Sequence, residues 1–398
     1  MRETSQPMVD KVAIIGAGPG GLATAIALRK QGIDAHVYEK AREFRPVGAG
    51  VSLKPNGLRC IDAIKPGLVN KLRRLGFQVQ RTTLKTSTGE TVWTTKTPIN
   101  SKDKELTFAI WWWHLQRILA SELPSEVIHL NHRCVSFEQN EKTVTTQFEN
   151  GKTVEVDLLI GADGINSRVR EILIGDRQPT YSGSMCWRAI VDYRDELLLP
   201  DEGLIIRGEK TAMILYPLGE GKMNWSAGKL FPESFVCPSA AEVKFRVLKE
   251  FSNWMKPILQ MIEETDAESI LEAPICKRLP LQQWSYGRVT LLGDAVHGMS
   301  PGGGQGANTT FEDAYELAEC LYNFPDLKTA LANYDKRRLQ RTVVIQNYSE
   351  KMEKLAYKSI QEQNKQSEQN FAEFERWLFD YDPKSESRLK PWKEKVVI

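Results

Sequence analysis

Val12-Ala-Ile-Ile-Gly16-Ala-Gly18-Pro-Gly20-Gly21-Leu22 is an apolar strand run that breaks into glycines and opens a helix, and Ala35-His-Val-Tyr-Glu39 reads as the next strand, closed by an acid. A strand, a glycine-rich turn, a helix and a second strand ending on Glu39 make a βαβ dinucleotide fold. Gly16 permits the tight turn, Gly18 lets the backbone approach a pyrophosphate, and Gly21 with Gly20 allows close helix packing. The helix N-terminus offers unpaired N–H groups to phosphate charge, and Glu39 suits a ribose hydroxyl.

Two later stretches extend this reading. The first is Asp157-Leu-Leu-Ile-Gly161-Ala-Asp163-Gly164, followed by Ser167, Arg168 and Arg170. The second is Gly293-Asp294-Ala-Val-His297-Gly-Met-Ser-Pro301-Gly-Gly-Gly304-Gln305-Gly306-Ala307-Asn308, running into Asp313-Ala-Tyr-Glu-Leu-Ala318. The glycine fingerprint alone also marks NAD dehydrogenases, disulfide reductases and amine oxidases, so the third stretch is the specific one.

In that order and spacing the three segments resemble the group A, single-component FAD-dependent monooxygenases with the p-hydroxybenzoate hydroxylase fold. The resemblance runs from about residue 11 to residue 345 and is nearest in motif style to the salicylate hydroxylase, zeaxanthin epoxidase and tetracycline-modifying branches. It implies an α/β fold: a discontinuous Rossmann-like FAD-binding domain with an inserted β-sheet substrate domain and C-terminal helices. The expected division is 1–75, 101–180 and 276–325 for the FAD-binding domain, 76–100 and 181–275 for the substrate domain, and 326–398 for a helical region.

The resemblance also implies a chemistry and a set of contacts. Asp294 would hold the flavin ribityl chain, and the loop Pro301, Gly304, Gln305, Gly306, Ala307 and Asn308 would pass along the isoalloxazine edge. Asp163 and Gly164 would lie at the pyrophosphate, with a part in reduced nicotinamide binding. Gly16, Gly18, Gly20, Gly21, Glu39, Lys40, Gly50, Val51, Trp112 and Arg117 complete the expected noncovalent FAD contacts. NADPH or NADH and O2 would be co-substrates: reduced flavin adds oxygen to give a C4a-hydroperoxide, which hydroxylates or epoxidises a substrate carbon. The helix opening near Ala307 would aim its positive end at the flavin pyrimidine edge.

On the substrate side the candidates are Arg188, Tyr216, His297 and Pro301. Arg188 follows Trp187, similar to the Trp-Arg pair of the salicylate hydroxylase and zeaxanthin epoxidase branch; its alternatives are pocket contact and a surface ion pair. His297 is a candidate base, set against a structural place in the flavin loop. Met213, Tyr216 and Trp225 lie on successive strands and either line an apolar cavity or fill a sheet core. Ile110-Trp111-Trp112-Trp113-His114-Leu115 departs from the family pattern, which has an arginine at the Trp112 position and an acid at the His114 position.

Composition narrows the partners. A formal net charge of +2 gives no electrostatic reason for nucleic acid or an anionic membrane, leaving a small molecule as expected partner and a monomer or homodimer as expected state. The six cysteines (60, 134, 186, 237, 276, 320) form no C-x-x-C pair and read as reduced, buried thiols, with no metal site. Val12 to Leu28 is uncharged but falls short of the roughly 20 residues of a spanning helix, so no stable membrane insertion and a cytoplasmic location are expected.

Along the chain, Arg45 to Gly57 reads as a loop with a helix from about Leu58, Gln78 to Thr95 as a hairpin turning at Gly89, and Arg133 to Ile160 as a β-meander. Recurring strands between Ser182 and Ile275 are expected to roof a pocket, with a helix near Ala240 to Ser252. Beyond Pro325 the pattern is helical, and Gln361 to Asn370 is too polar to bury a face. No Ser-His-Asp pattern, P-loop or carboxylate pair supports a hydrolase or kinase. The alternatives carried beside a monooxygenase of an aromatic, quinone-like or isoprenoid compound are a flavin-dependent reductase or dehydrogenase and a non-catalytic FAD-binding module.

Overall fold

The computed structural model describes residues 9–46, 48–96, 107–176, 178–358 and 368–392. Strand β1 (Lys11–Ile15) enters helix α1 (Pro19–Lys30) through the glycine turn and returns as β2 (Asp34–Tyr38). Pro19 begins the helix where a missing N–H costs nothing. Gly16 has φ +108°, and a Cβ there would lie 2.5 Å from the Ala162 carbonyl oxygen; one on Gly21 would lie 2.0 Å from the Gly16 carbonyl oxygen.

Around β1 a six-stranded sheet assembles in the order β18 (Ser285–Tyr286), β19 (Val289–Leu291), β12 (Leu158–Gly161), β1, β2, β8 (Ile128–His129). All pairs are parallel except β18 with β19. Val12 to Ile15 and Leu158 to Ile160 are buried, as befits strands covered on both faces. A meander of β9 (Cys134–Gln139), β10 (Val144–Phe148) and β11 (Thr153–Val156) leads into β12, its second turn carrying Gly151 at φ +81°.

The roof is a separate seven-stranded sheet, in the order β17 (Leu271–Lys277), β13 (Thr180–Asp192), β16 (Lys222–Leu230), β15 (Thr211–Gly219), β14 (Glu202–Gly208), β5 (Arg81–Thr86), β6 (Thr91–Lys96). One face packs on α6 (Ala240–Glu250) and α7 (Lys256–Glu264). Trp187, Met213, Leu215 and Trp225 form a core there with Phe251, Ile258 and Met261. Because side chains alternate along a strand, Arg188, Ile214 and Tyr216 stand on the other face. Of the two alternatives, Met213 and Trp225 therefore take the sheet core, and Tyr216 takes the other face.

Between the two sheets lies a small one of β3 (Gly50–Leu53), β7 (Phe108–Trp111) and β4 (Phe77–Gln78). Here the expected loop is a strand, and α2 runs Pro55–Ile64 rather than starting near Leu58. Pro55 takes the first helical position. Gly57 is inside the helix because a Cβ would come 2.2 Å from Asn308 Oδ1. Helices α3 (Leu68–Leu75), α4 (Trp112–Ala120) and α5 (Arg168–Ile174) follow.

After β19 come the short helix α8 (Asp294–His297), the glycine loop, α9 (Gly306–Asn323) and the 30-residue α10 (Leu327–Ala356). Helix α11 (Glu368–Phe379) lies on them through Phe374 and Leu378, both buried beside Ile345 and Tyr348. Most of the polar Gln361 to Asn370 stretch falls outside the described residues. All six cysteines are free; five are buried and Cys276 is half-buried, against the expectation that all would be hidden. Among the described residues no helix is long and apolar enough to cross a membrane, and no cluster could hold a metal ion.

Candidate functional site

Three backbone features converge on one groove. At the start of α1, Gly18 has nothing within 4 Å in its Cβ direction, and Gly164 (φ +81°), just past β12, is equally open. Gly20, beside them, is tight: a Cβ would meet Thr310 Cγ2 at 2.3 Å. The glycine pattern thus divides into positions that let the protein pack on itself and positions that leave room for something else.

Glu39 ends β2 with one carboxylate oxygen accepting from Ala17 N at 2.8 Å and the other from Ala41 N at 2.8 Å. Each oxygen keeps a lone pair for a further donor. Gln116 of α4 donates to the Ala17 carbonyl at 2.8 Å and is buried, locking the same turn. It was not among the expected site residues; its place two positions beyond His114, on the inner face of α4, was the signal. Asp163 is turned into the protein, accepting from the Ser167 hydroxyl, from Arg168 N at 2.6 Å and from Val169 N at 3.2 Å. Burial raises its pKa although these three donors pull the other way. Its carboxylate fixes the entry to α5 while the Gly164 backbone faces the open side.

Asp294 behaves differently. It is exposed to solvent, yet the protein around it raises its pKa by desolvation, with His297 opposing. The carboxylate is thus open to solvent on one side with protein packed around the other. No described residue donates a hydrogen bond to it, and it lies 3.8 Å (Oδ1) from the Cβ direction of Gly306, at the head of α9. No side chain caps that helix and no acid sits in its first turn, so its leading N–H groups and positive end are free.

The back of the same loop is closed. His297 is 1 % exposed, with Nε2 2.5 Å from Asp313 Oδ2. Asp313 also accepts from Gly293 N at 3.0 Å and Arg338 Nε at 2.8 Å. Burial alone would raise Asp313, but His297 and Arg338 outweigh it and hold the carboxyl below the usual range. Arg338 and Arg341 both reach Glu312, which also accepts from Asn56 at 2.7 Å. His297 therefore belongs to a buried network beneath the loop.

Asn308 spends its amide on the fold: Oδ1 accepts from Lys54 N, and Nδ2 donates to the Ser52 and Gly304 carbonyls. Gln305 is buried, and its Nε2 has no partner. Pro301 is exposed at the start of a 3-10 turn that presses on α10, where a Cβ on Gly302 would come 2.3 Å from Glu353 N.

Above the groove, Tyr216 rests on β3, where a Cβ on Gly50 would come 2.6 Å from its ring. Asn224 Oδ1 accepts from Gly50 N at 2.9 Å, tying the roof to the same strand as Val51. Burial pushes the Tyr216 hydroxyl well up, and neighbouring Arg188 opposes that. Arg188 makes no ion pair with a described residue.

The tryptophans separate. Trp111, Trp113 and His114 contact one another at 5.1 to 5.2 Å between ring centroids, and Arg117 lies over Trp113 at 4.7 Å. Trp112 stands apart from them as the first residue of α4. Its N donates to the Ala49 carbonyl at 3.1 Å, and its Cβ would be 3.3 Å from a Cβ on Gly48. Arg117 is exposed and engaged with Trp113; Lys40 is exposed.

The groove fits a flavin dinucleotide by the chemistry of its donors and acceptors: open glycine backbone for the diphosphate, two carboxylates for hydroxyls and an uncapped helix end for the ring. Residues 10–347 match the family described as FAD binding domain. Zeaxanthin epoxidase of an Oncidium hybrid cultivar is 34 % identical over 358 residues, 84 % of this chain and 53 % of that protein. The chain thus spans about half the length of that relative. Aurachin C monooxygenase/isomerase of Stigmatella aurantiaca is 32 % identical over 83 % of this chain and 85 % of that one. Among solved structures, Klebsiella pneumoniae HpxO complexed with FAD and uric acid is similar with a TM-score of 0.82 at 25 % identity, covering 96 % of this chain and 93 % of that one.

Proposed function

The chain belongs to the class A FAD-dependent monooxygenase family, and from that premise we propose that it uses NAD(P)H and O2 to hydroxylate or epoxidise an apolar aromatic, quinone-like or isoprenoid small molecule. The observation that carries the reading is the juxtaposition of an open dinucleotide groove with the roof face on which Ile214 is exposed between Tyr216 and Arg188. Asp294 and the head of α9 stand on one side, and Tyr216, Arg188 and Ile214 on the other.

FAD held noncovalently in this groove supplies the redox and oxygen chemistry. Residues of the chain bind, orient and exclude water. Glu39 and Asp294 would accept from FAD hydroxyl groups, Gly18 and Gly164 would admit its diphosphate, and the N–H groups at Gly306 and Ala307 would stabilise negative charge on its ring. Tyr216 and Arg188 orient the substrate, and Ile214 keeps that side apolar. His297 maintains the loop from beneath, with Asp313 and Arg338.

Purified protein should be yellow, release its flavin on acid precipitation, and oxidise NAD(P)H faster when an aromatic or isoprenoid substrate is added, with matching O2 uptake. Arg188→Ala should raise the substrate KM or slow flavin reduction while leaving FAD content intact. Reoxidation of the reduced flavin by hydrogen transfer to substrate, without O2 uptake, would assign the chain to the reductases. Bound flavin with no turnover of any compound would make it a binding module.

A further inference from the structure

The groove-facing side of the roof carries a second arginine that the proposed reaction does not use. On β14, Leu204 and Ile206 enter the roof core with Met213 and Leu215 of β15. Register places Ile205 opposite Ile214, and Arg207 opposite Ala212. With a side-chain period of two, Arg207 shares the face of Ile205, Ile214 and Tyr216. The ladder continues from Ile214 through Ser226 to Arg188.

Arg207 is half-buried, but its Nε and Nη1 are shut off from solvent and have no hydrogen-bond partner. Burial alone lowers its pKa; no carboxylate contributes. The buried arginines of the fold show how unusual this is. Arg170 meets Asp176, Arg278 meets Asp176, and Arg338 meets Asp313 and Glu312. A guanidinium with hidden, unused donors beside apolar surface is arranged for a partner supplied from outside.

We propose that Arg207 determines substrate specificity by taking up an acidic oxygen, a carboxylate or an ionised enol or phenol, carried by an otherwise apolar substrate. The location rests on the monooxygenase reading, in which the substrate lies under this face. Arg188 and Arg207 lie three strands apart, about 14 Å by the usual strand spacing. One small group therefore cannot serve both. The reacting end lies near Arg188, Tyr216 and Gly50, the apolar body crosses Ile214 and Ile205, and the acidic end meets the guanidinium fork.

The test uses the FAD-loaded protein and three probes of one shape: 2-naphthoate, 2-naphthol and 2-naphthamide. Binding is read by equilibrium dialysis and by perturbation of the flavin spectrum. Wild type should bind 2-naphthoate about tenfold or more tighter than 2-naphthamide, the scale of one hydrogen bond to a charged group. Arg207→Gln should erase the difference at unchanged FAD content, and Arg207→Lys, which keeps charge without the fork, should retain part of it. Tighter binding of 2-naphthol only where it is ionised extends the site to phenolates; discrimination confined to 2-naphthoate restricts it to carboxylates.

Equal binding of naphthoate and naphthamide by wild type, or a preference that survives Arg207→Gln, overturns the proposal. Should Arg207→Gln lose FAD, the comparison passes to Arg207→Lys, whose preference must fall below that of wild type. The two readings separate in NAD(P)H oxidation assays. An Arg207-dependent binding preference without O2-coupled turnover of any substrate overturns the reaction and leaves the site, whereas turnover indifferent to Arg207 and to the acidic group does the reverse.

Discussion

Asp294 and Asp313 come from one stretch of sequence and end in opposite situations. Asp313 takes hydrogen bonds from Gly293 N, His297 and Arg338 and is fully buried. Asp294 takes none from a described residue and looks into the groove. The arginines divide in the same way, with Arg338 and Arg341 held by Asp313 and Glu312, while among the described residues Arg188 makes no ion pair and Arg207 leaves Nε and Nη1 unused. The ion pairs beneath the loop are satisfied by the fold, although His297 Nδ1 and Asn56 Oδ1 there have no partner. Groups facing the groove are left for a ligand, since an unsatisfied polar group persists in a native structure only where something compensates it.

The sharpest way to break the comparison is on the saturated side. Arg338→Met leaves Asp313 and part of Glu312 as buried, underpaired carboxylates, which should cost about 3 to 5 kcal/mol. Chemical denaturation of the FAD-free protein measures it. A loss under about 1 kcal/mol would show that the network beneath the loop is dispensable and that the division between closed and open sides is wrong.

Asp294→Asn probes the open side. FAD affinity should fall about tenfold or more, while stability of the FAD-free protein at neutral pH should not fall. The sign follows from the raised carboxyl: its contribution is full below the unfolded value of about 3.9 and is lost as pH rises through the higher folded value. The asparagine variant lacks that decline, so its stability curve should be flatter over this window. Asp313 has the opposite sign, because its lowered carboxyl contributes above about 3.9 and loses that contribution as pH falls through the folded value. An Asp294→Asn protein with unchanged FAD titration would remove Asp294 from the site.

The smallest expected effect separates the tryptophans. Trp112 lies against Gly48, just before β3, while Trp111 and Trp113 pack with His114. Trp112→Ala should alter FAD dissociation or turnover per bound flavin by a few-fold, on the scale of one aromatic contact, and more than Trp111→Ala or Trp113→Ala. Trp112→Arg should tighten FAD if the pocket accepts the longer side chain. Equal destabilisation by all three alanine variants, with no change in FAD dissociation, would place Trp112 in the packing cluster with its neighbours.

Much of this division was legible before the fold was known. The glycines at 16, 18, 20 and 21, the acid at 39 and the run from Gly293 to Asn308 announce a dinucleotide groove, because each demands a local backbone geometry that few residues supply. Pro55 was a helix start that reading the stretch as a loop passed over. Arg207 lies among the strands expected between Ser182 and Ile275, and its alternation with Leu204 and Ile206, both in the roof core, keeps it off the core face. Lys40 and Arg117 carried a charge near the motif but no local geometry, and the structure shows both exposed.

The sequence by itself determined the βαβ turn, the order of the three nucleotide segments and the alternation of the roof strands, since these depend on residues a few positions apart. Tertiary structure decided which face of the roof met α6 and α7 and which aspartate met Arg338. It also decided that His297 turned inward and that Arg207 was left without a partner. Those outcomes depend on contacts between residues 16 to more than 100 positions apart, where the competition between burial and desolvation is settled by what else arrives at the same place. No local pattern carries that information.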